Sequence, residues 1–322
     1  MTAVQLGTTD LHLSPIGLGT AQFAGKSWIS AMTPPIPLQH VAEVVKTALD
    51  GGITWFDSSE MYGGGNAERA LARALIEAGV TPGDVVVATK WMPIGRTAAS
   101  IERTIGERIQ ALDPFPIDLH QVHLNRGSLS SVRAQMRAMA RLVQAGKIRA
   151  VGVSNFTTAQ MQTAHDELAR HGIPLASNEI QVNMLRRDIE TNGMLVAAEL
   201  LGISLLAYSA QAQGILTGKY HADRSLIANV HPVRRRIMGL NEKGLDRTKP
   251  LIDAMTDIAT DHQATVGQIA LAWLVDYYRG TVIPIAGASK AHHARDSAGA
   301  LQVHLSDEET RHLDELSDRL RQ

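Results

Sequence analysis

The sequence predicts an α/β fold, a (β/α)8 TIM barrel with an N-terminal β-hairpin and a long loop after strand 7. Three observations carry this. Short apolar runs of strand length recur eight times, helical patterns fall between them, and glycines stand where the helices end. Strands alternating with helices imply a parallel sheet, and eight such units suggest a closed barrel. No composition break divides the chain, so residues 1–322 are read as one barrel domain.

The first element is a hairpin over residues 4–13, turning at Gly7-Thr8-Thr9-Asp10. Strands are predicted over residues 16–20, 53–57, 85–90, 119–124, 148–154, 177–182, 204–209 and 281–285. Helical patterns fall over residues 40–50, 67–78, 98–112, 130–144 and 158–171, among others. In one of them Val132, Met136, Met139 and Val143 repeat at the spacing of a helix face. Asn66 is read as an N-cap, and Gly51, Gly79, Gly146, Gly172 and Gly202 as C-terminal stops. Residues 214–250 show no strong periodicity and hold Gly218, Gly239, Gly244 and Pro250, so they are read as the long loop. A doubly wound sheet is the rival, but it would want Gly-x-Gly-x-x-Gly after its first strand. Gly17-Leu-Gly-Thr-Ala-Gln22 lacks that spacing, as does Gly63-Gly-Gly.

Composition narrows the function. A formal net charge of −1 gives no global reason to bind nucleic acid or an anionic membrane. The chain has no Cys, which excludes thiolate nucleophiles, disulfides and Cys-ligated metals, and fits a reducing cytosol. The opening residues lack a signal-peptide pattern and no apolar run spans a bilayer, so a cytoplasmic location is expected. The histidines, the His292-His293 pair included, form no metal-ligand motif, and no metal is expected.

Chemistry gathers at predicted strand ends, where barrel active sites form. Asp57 ends the second strand, and Tyr62 follows in a glycine-rich loop. Lys90 ends the third strand and His123 stands near the end of the fourth. Strand alternation sets Leu119, Gln121 and His123 on one face, and Val86, Ala88 and Lys90 on one face. Lys90 then favours tyrosinate and makes Tyr62 a stronger acid, Asp57 keeps Lys90 charged, and His123 orients a substrate oxygen. Such a site delivers a proton to an oxygen becoming an alkoxide. His120 falls on the opposite face and is read as a helix-facing or core histidine. Phe23, Trp28, Trp91 and Met92 follow strand ends and are candidates for an apolar substrate wall, with Asn125 and Arg126 at its rim. Arg234-Arg-Arg236 is either a solvated charge run or a cluster reaching toward phosphates.

Asp57, Tyr62, Lys90 and His123 resemble, in order and spacing, the catalytic tetrad of the aldo-keto reductases, and the resemblance runs over nearly the whole chain. It implies Ser154, Asn155 and Gln181 as holders of a nicotinamide carboxamide, and Tyr208, in Ala207-Tyr208-Ser209, as the ring stacked on it. Gly214, Leu216 and Lys219 resemble the pyrophosphate loop. Gly287, Ser289, Lys290, Asp296 and Ser297 resemble the segment holding the adenosine half. His293 is read as a residue of a solvated helix nearby. Ser289 stands where relatives often carry Arg or Lys for a 2′-phosphate, Ser297 where they often carry Asn. Ala210-Gln211 replaces a usual Pro-Leu, and Leu124 a common Trp. The family implies NADPH, with NADH as the alternative, and a small-molecule aldehyde or ketone as the partner; oligomeric state stays open. Two other readings are carried: a cofactor-binding, redox-sensing subunit resembling potassium-channel β subunits, and a phosphate-handling aldolase or isomerase using Lys90 as a Schiff base. The second would need a depressed Lys90 pKa, which Asp57 opposes.

Overall fold

Eight parallel strands close on themselves in a computed structural model that describes residues 2–25 and 36–321. Before them come β1 (Val4–Gln5) and β2 (His12–Leu13), an antiparallel pair with Val4 opposite Leu13. The barrel strands are β3 (Gly17–Gly19), β4 (Trp55–Asp57), β5 (Val86–Trp91), β6 (Leu119–Val122), β7 (Ala150–Ser154), β8 (Leu175–Gln181), β9 (Ser204–Tyr208) and β10 (Val282–Gly287). β10 pairs with both β9 and β3, which closes the ring. All eight predicted strands are present, with shifted ends. β6 stops at Val122, so His123 stands just past the ladder.

The hairpin plugs one mouth. Leu6, Leu11 and Leu13 are buried in one cluster with interior residues such as Trp55, Ala88, Leu119, Ala176 and Leu206, contributed by successive strands. Trp55 fits inside the barrel because Gly17 is bare: a Cβ there would lie 2.1 Å from the indole. The indole N–H donates to the Ser14 carbonyl at 3.0 Å, so the ring is buried without an orphaned donor. With one mouth filled by apolar packing, the other is left for chemistry.

Around the strands lie α1 (Leu38–Asp50), α2 (Asn66–Glu77), α3 (Ala99–Leu112), α4 (Val132–Gln144), α5 (Thr158–Ala169) and α6 (Met194–Leu201). On α4 the predicted stripe faces inward, with Met136 and Met139 buried. Asn66 does not cap α2. Gly65 takes the cap position at φ +85°, and the Asn66 side chain instead donates to the Ala24 carbonyl at 3.3 Å.

The stretch 214–250 is not a bare loop. It holds α7 (Lys219–Ala222), α8 (Pro232–Ile237) and the first part of α9 (Glu242–Asp261). Asn241 caps α9, accepting from the Gly244 N–H at 2.9 Å. Ile215, Tyr220, Leu240 and Leu245 give this excursion a small core of its own. Pro250 lies inside α9, where it removes one backbone donor; burial of Leu251, Ile252 and Met255 just beyond offsets the loss. The chain ends with α10 (Val266–Tyr278), α11 (Ala291–Gly299) and α12 (Asp307–Arg319). Among the described residues no helix is long and apolar enough to cross a membrane.

Candidate active site

At the open mouth the first polar layer is a buried charge cluster. The Lys90 ammonium donates to the Asp57 carboxylate and, at 3.0 Å, to the Ser58 carbonyl. Lys90 is 0% exposed and Asp57 2%. A second carboxylate, which sequence reasoning did not single out, completes the cluster. Glu179 on β8 lies 3.2 Å from the Lys90 nitrogen. Gln121 bridges both acids, its amide 2.9 Å from Glu179 and 3.3 Å from Asp57. Burial disfavours charge on Lys90, but Asp57 and Glu179 overcome it and hold the ammonium above the ordinary lysine range. Burial and then Glu179 push the Asp57 carboxyl up to about 8, against the pull of Lys90.

Tyr62 and His123 stand above this cluster. The Lys90 nitrogen is 5.3 Å from the Tyr62 ring centroid, and the Tyr62 and His123 rings meet edge to face at 5.8 Å. Burial raises the phenol pKa; Lys90 lowers it, and Asp57 and Glu179 raise it again. The expectation that Lys90 makes Tyr62 a stronger acid is therefore corrected for the net effect. Lys90 pulls in the expected direction, but desolvation and two carboxylates outweigh it, so the phenol keeps its proton at neutral pH.

Burial, and secondarily Lys90, depress the His123 pKa to about 3, so its imidazole is neutral. Ser59 is the hydrogen-bond partner of the ring. Its hydroxyl oxygen lies 2.8 Å from His123 Nδ1 and accepts from the Met61 N–H at 3.2 Å. When the hydroxyl donates to Nδ1, Nε2 carries the ring proton as an N–H donor.

The loop carrying Tyr62 is held from below. Glu60 accepts from the Met92 N–H at 2.6 Å, pairs with Arg96, and meets Arg108 at 3.4 Å. Arg108 also reaches Glu68 at 3.4 Å, and Glu68 accepts from Thr89. Gly63, at φ +68°, could not be another residue, because a Cβ would lie 2.1 Å from the Ala24 carbonyl oxygen. The glycine run thus turns the chain where Tyr62 enters the mouth.

Away from the cluster the expected cofactor residues form an arc. The Ser154 hydroxyl donates to the Glu179 carbonyl at 3.0 Å. Asn155, at φ +60°, donates to the His123 carbonyl at 3.2 Å and accepts from the Tyr208 phenol at 2.9 Å. Gln181 turns to Arg186, whose guanidinium donates to it at 2.6 Å. Ser209 and Gly214 both take positive φ in the irregular turn after β9, and Leu216 is buried beneath it. Arg234 donates to the Gln213 side chain and carbonyl at 3.2 and 3.3 Å, which brings it over this turn. Gly287 ends β10. Ser289 contacts His293 Nδ1 at 3.1 Å, and burial, His292, Lys219 and Lys290 lower the His293 pKa to about 4. His293 is thus drawn into this end rather than solvated. Asp296 accepts from Thr265 at 2.6 Å, and Ser297 is buried. A cleft of about 600 Å³ opens here, between α1 and α11, lined by His40, Ser289, Lys290, His292 and Arg295 among others. It marks the far end of the arc and not the tetrad.

The substrate-wall residues fall differently. Phe23 and Trp91 are each 1% exposed, and the Trp91 indole donates to Ser100 of α3 at 3.1 Å, away from the mouth. Because Lys90 points into the barrel, its neighbour Trp91 must point out. Asn125 donates to Gln160 at 3.2 Å, and Trp28 lies outside the described residues. Among the described residues, Ile94 and Leu129, on the loops after β5 and β6, are apolar groups left open, 59% and 72% exposed. Backbone bonds from Gly95 to Gly127 and from Leu129 to Arg96 tie those loops together. His120 is a core histidine, 1% exposed.

The sequence profile described as the aldo/keto reductase family matches residues 15–318. The chain belongs to the aldo/keto reductase family. Among relatives, this aldo/keto reductase is 30% identical over 316 residues to the chloroplastic pyridoxal reductase of Arabidopsis thaliana, covering 94% of this chain and 83% of that protein. It is 32% identical over 300 residues to an uncharacterized oxidoreductase of Mycobacterium tuberculosis, covering 92% and 86%. Among solved structures, the glycerol dehydrogenase of Gluconobacter oxydans superposes with a TM-score of 0.80 at 27% identity, covering 98% of this chain and 94% of that one. An aldo/keto reductase of Klebsiella pneumoniae in complex with NADP and acetate superposes with a TM-score of 0.72 at 25% identity, with coverage of 98% and 94%.

Nicotinamide cofactors are used across the family, and the arc fits one. Lys219, Arg234 and Lys290 have no carboxylate partner among the described residues. The Gln22 carboxamide oxygen is buried without a partner among the described residues beside Gly287, on the same side of the mouth.

Proposed function

We propose that this enzyme reduces an aldehyde or ketone to an alcohol with NADPH, Tyr62 giving the proton. The observation that carries the reading is a phenol set beside a buried lysine and an imidazole, at the open mouth of the barrel. When bound, the cofactor supplies the hydride. The chain supplies everything else.

His123 Nε2–H donates to the substrate carbonyl oxygen and holds it against the Tyr62 hydroxyl. As negative charge develops on that oxygen, the Tyr62 O–H bond breaks and its proton passes to the oxygen, leaving tyrosinate. Lys90 stabilises the tyrosinate, and Asp57 holds Lys90 in place. Ser154 and Asn155 would hold the carboxamide, with Gln181 at its edge. Tyr208 and Ser209 would flank the ring. Gly214, Leu216 and Lys219, with Arg234, would take the phosphates. Gly287, Ser289, Lys290, Asp296 and Ser297 would take the adenosine half. Cationic Lys290 beside the cleft supports NADPH over NADH. Ile94 and Leu129 supply the apolar rim for the substrate, with Asn125 as its polar neighbour.

The test is NADPH oxidation against a panel of aldehydes and ketones. Tyr62→Phe should lower turnover by roughly 100-fold or more, the usual range for losing a general acid, while NADPH still binds. Full turnover in Tyr62→Phe would refute the assignment.

A further inference from the structure

We propose that Glu179 is a positioning residue that acts on Tyr62 through Lys90, sharing the ammonium with Asp57 so that the phenol keeps its proton to higher pH. The inference rests on the reductase reading and adds an ionisable member to the proton-handling group.

Three observations carry it. First, the cluster holds two carboxyl groups and one ammonium, with Lys90 0%, Asp57 2% and Glu179 4% exposed. If both acids were ionised, the group would bury an uncompensated negative charge, which is costly in a low-dielectric interior. Second, the Lys90 nitrogen lies against both acids, and one Gln121 amide nitrogen reaches an oxygen of each. Third, the fold makes room for this arrangement. Gly152 faces it from β7, and a Cβ there would lie 2.4 Å from the Ser177 hydroxyl and 2.9 Å from Gln121. Ser177 in turn donates to the Gln121 carbonyl oxygen at 3.2 Å, which aims the amide nitrogen at the two acids.

The consequence follows from charge balance. At neutral pH the pair of acids keeps one proton, and the cluster is neutral. The upward displacement of Asp57, caused by burial and Glu179, has the same sense. When that proton leaves in alkali, the cluster becomes negative and opposes formation of tyrosinate. The charged or titratable groups facing Tyr62 are Asp57 at the end of β4, Lys90 on β5, His123 beyond β6 and Glu179 on β8. His123 is neutral throughout the range, so Glu179 is the group whose removal changes the balance.

The experiment compares wild type, Glu179→Gln and Glu179→Asp by two readouts. The first is the pH profile of carbonyl reduction at saturating NADPH. In Glu179→Gln the alkaline limb should move down by roughly one to three pH units, the usual effect of removing one near charge. Glu179→Asp, which keeps the charge, should stay close to the wild-type limb. The second readout is the titration of side-chain carboxyl carbons by isotope-edited NMR, without cofactor or substrate. Wild type should show a buried carboxyl titrating above neutrality, and Glu179→Gln should not. An unchanged alkaline limb and an unchanged carboxyl titration in Glu179→Gln would overturn the proposal. If wild type turned over no carbonyl compound, the reductase reading would fail, while the carboxyl titration would still decide this one.

Discussion

The Ser59 hydroxyl lies 2.8 Å from Nδ1 of His123, and when it donates to that nitrogen the imidazole carries its proton on Nε2. The Ser59 oxygen also accepts from the Met61 N–H, and among the described residues Nδ1 is the one acceptor within reach of its hydroxyl proton. Both side chains are buried, which keeps water from taking Ser59's place. In Ser59→Ala the ring loses its tautomer lock, and the donor to the substrate oxygen is present only part of the time. We expect kcat to fall by about tenfold, the value of one hydrogen bond of ~1.4 kcal/mol, with cofactor affinity unchanged. Ser59→Thr should retain activity. NMR of the His123 ring nitrogens reads the tautomer directly; an Nδ1–H form in wild type would sink the idea.

Glu60 carries no chemistry in this reading, yet it holds the Tyr62 loop to the strand that supplies Lys90. It accepts from the Met92 N–H and pairs with Arg96, next to the Tyr62 turn. Glu60→Ala removes the partner of a backbone donor and of two guanidinium groups at once. Small displacements of a reacting group cost up to ~100-fold in rate, so kcat should drop by about tenfold to 100-fold. Hydrogen exchange across residues 58–65 should speed up in the same variant. Unchanged exchange with a lowered kcat would show that Glu60 acts by another route.

Much of this was legible in the sequence, for reasons tied to particular residues. The eight strands were readable because buried parallel strands are short apolar runs, and Asp57 and Lys90 stood out as charges ending such runs. The outward turn of Trp91 was also legible, since alternation that points Lys90 inward must point Trp91 away. Glu179 had a weaker signal. It shares a strand face with Gln181, but how deep each sits depends on the barrel's stagger, which no local pattern records. Residues 242–250 misled because Gly244 and Pro250 are helix breakers by propensity. Tertiary burial of Leu245, Leu251 and Ile252 overrides that preference.

Cofactor preference can be read at Lys290. It lines the cleft at the far end of the arc, with Ser289 and Arg295, and has no carboxylate partner among the described residues. Lys290→Ala should weaken NADPH binding by about tenfold, as for loss of one charge-assisted hydrogen bond, and change NADH binding much less. Fluorescence titrations with the two nucleotides measure this. Equal losses for both would place Lys290 away from the 2′-phosphate.

Acid should destabilise the protein through its buried neutral histidines. Burial lowers the His120 pKa to about 4, and among the described residues its Nδ1 has no hydrogen-bond partner. His123 is depressed in the same direction, to about 3. Between about pH 4 and 6.5 the unfolded chain therefore binds protons that the native state does not, so stability falls as pH falls through that window. For His120 alone the loss grows to about 3 kcal/mol as pH falls to the native value near 4. His120→Leu keeps the volume, removes an unpartnered nitrogen and cannot take up a proton. Its urea midpoint should move less than that of wild type between pH 7 and pH 5, the difference reporting one histidine. Equal shifts in the two proteins would mean that His120 is charged in the folded state.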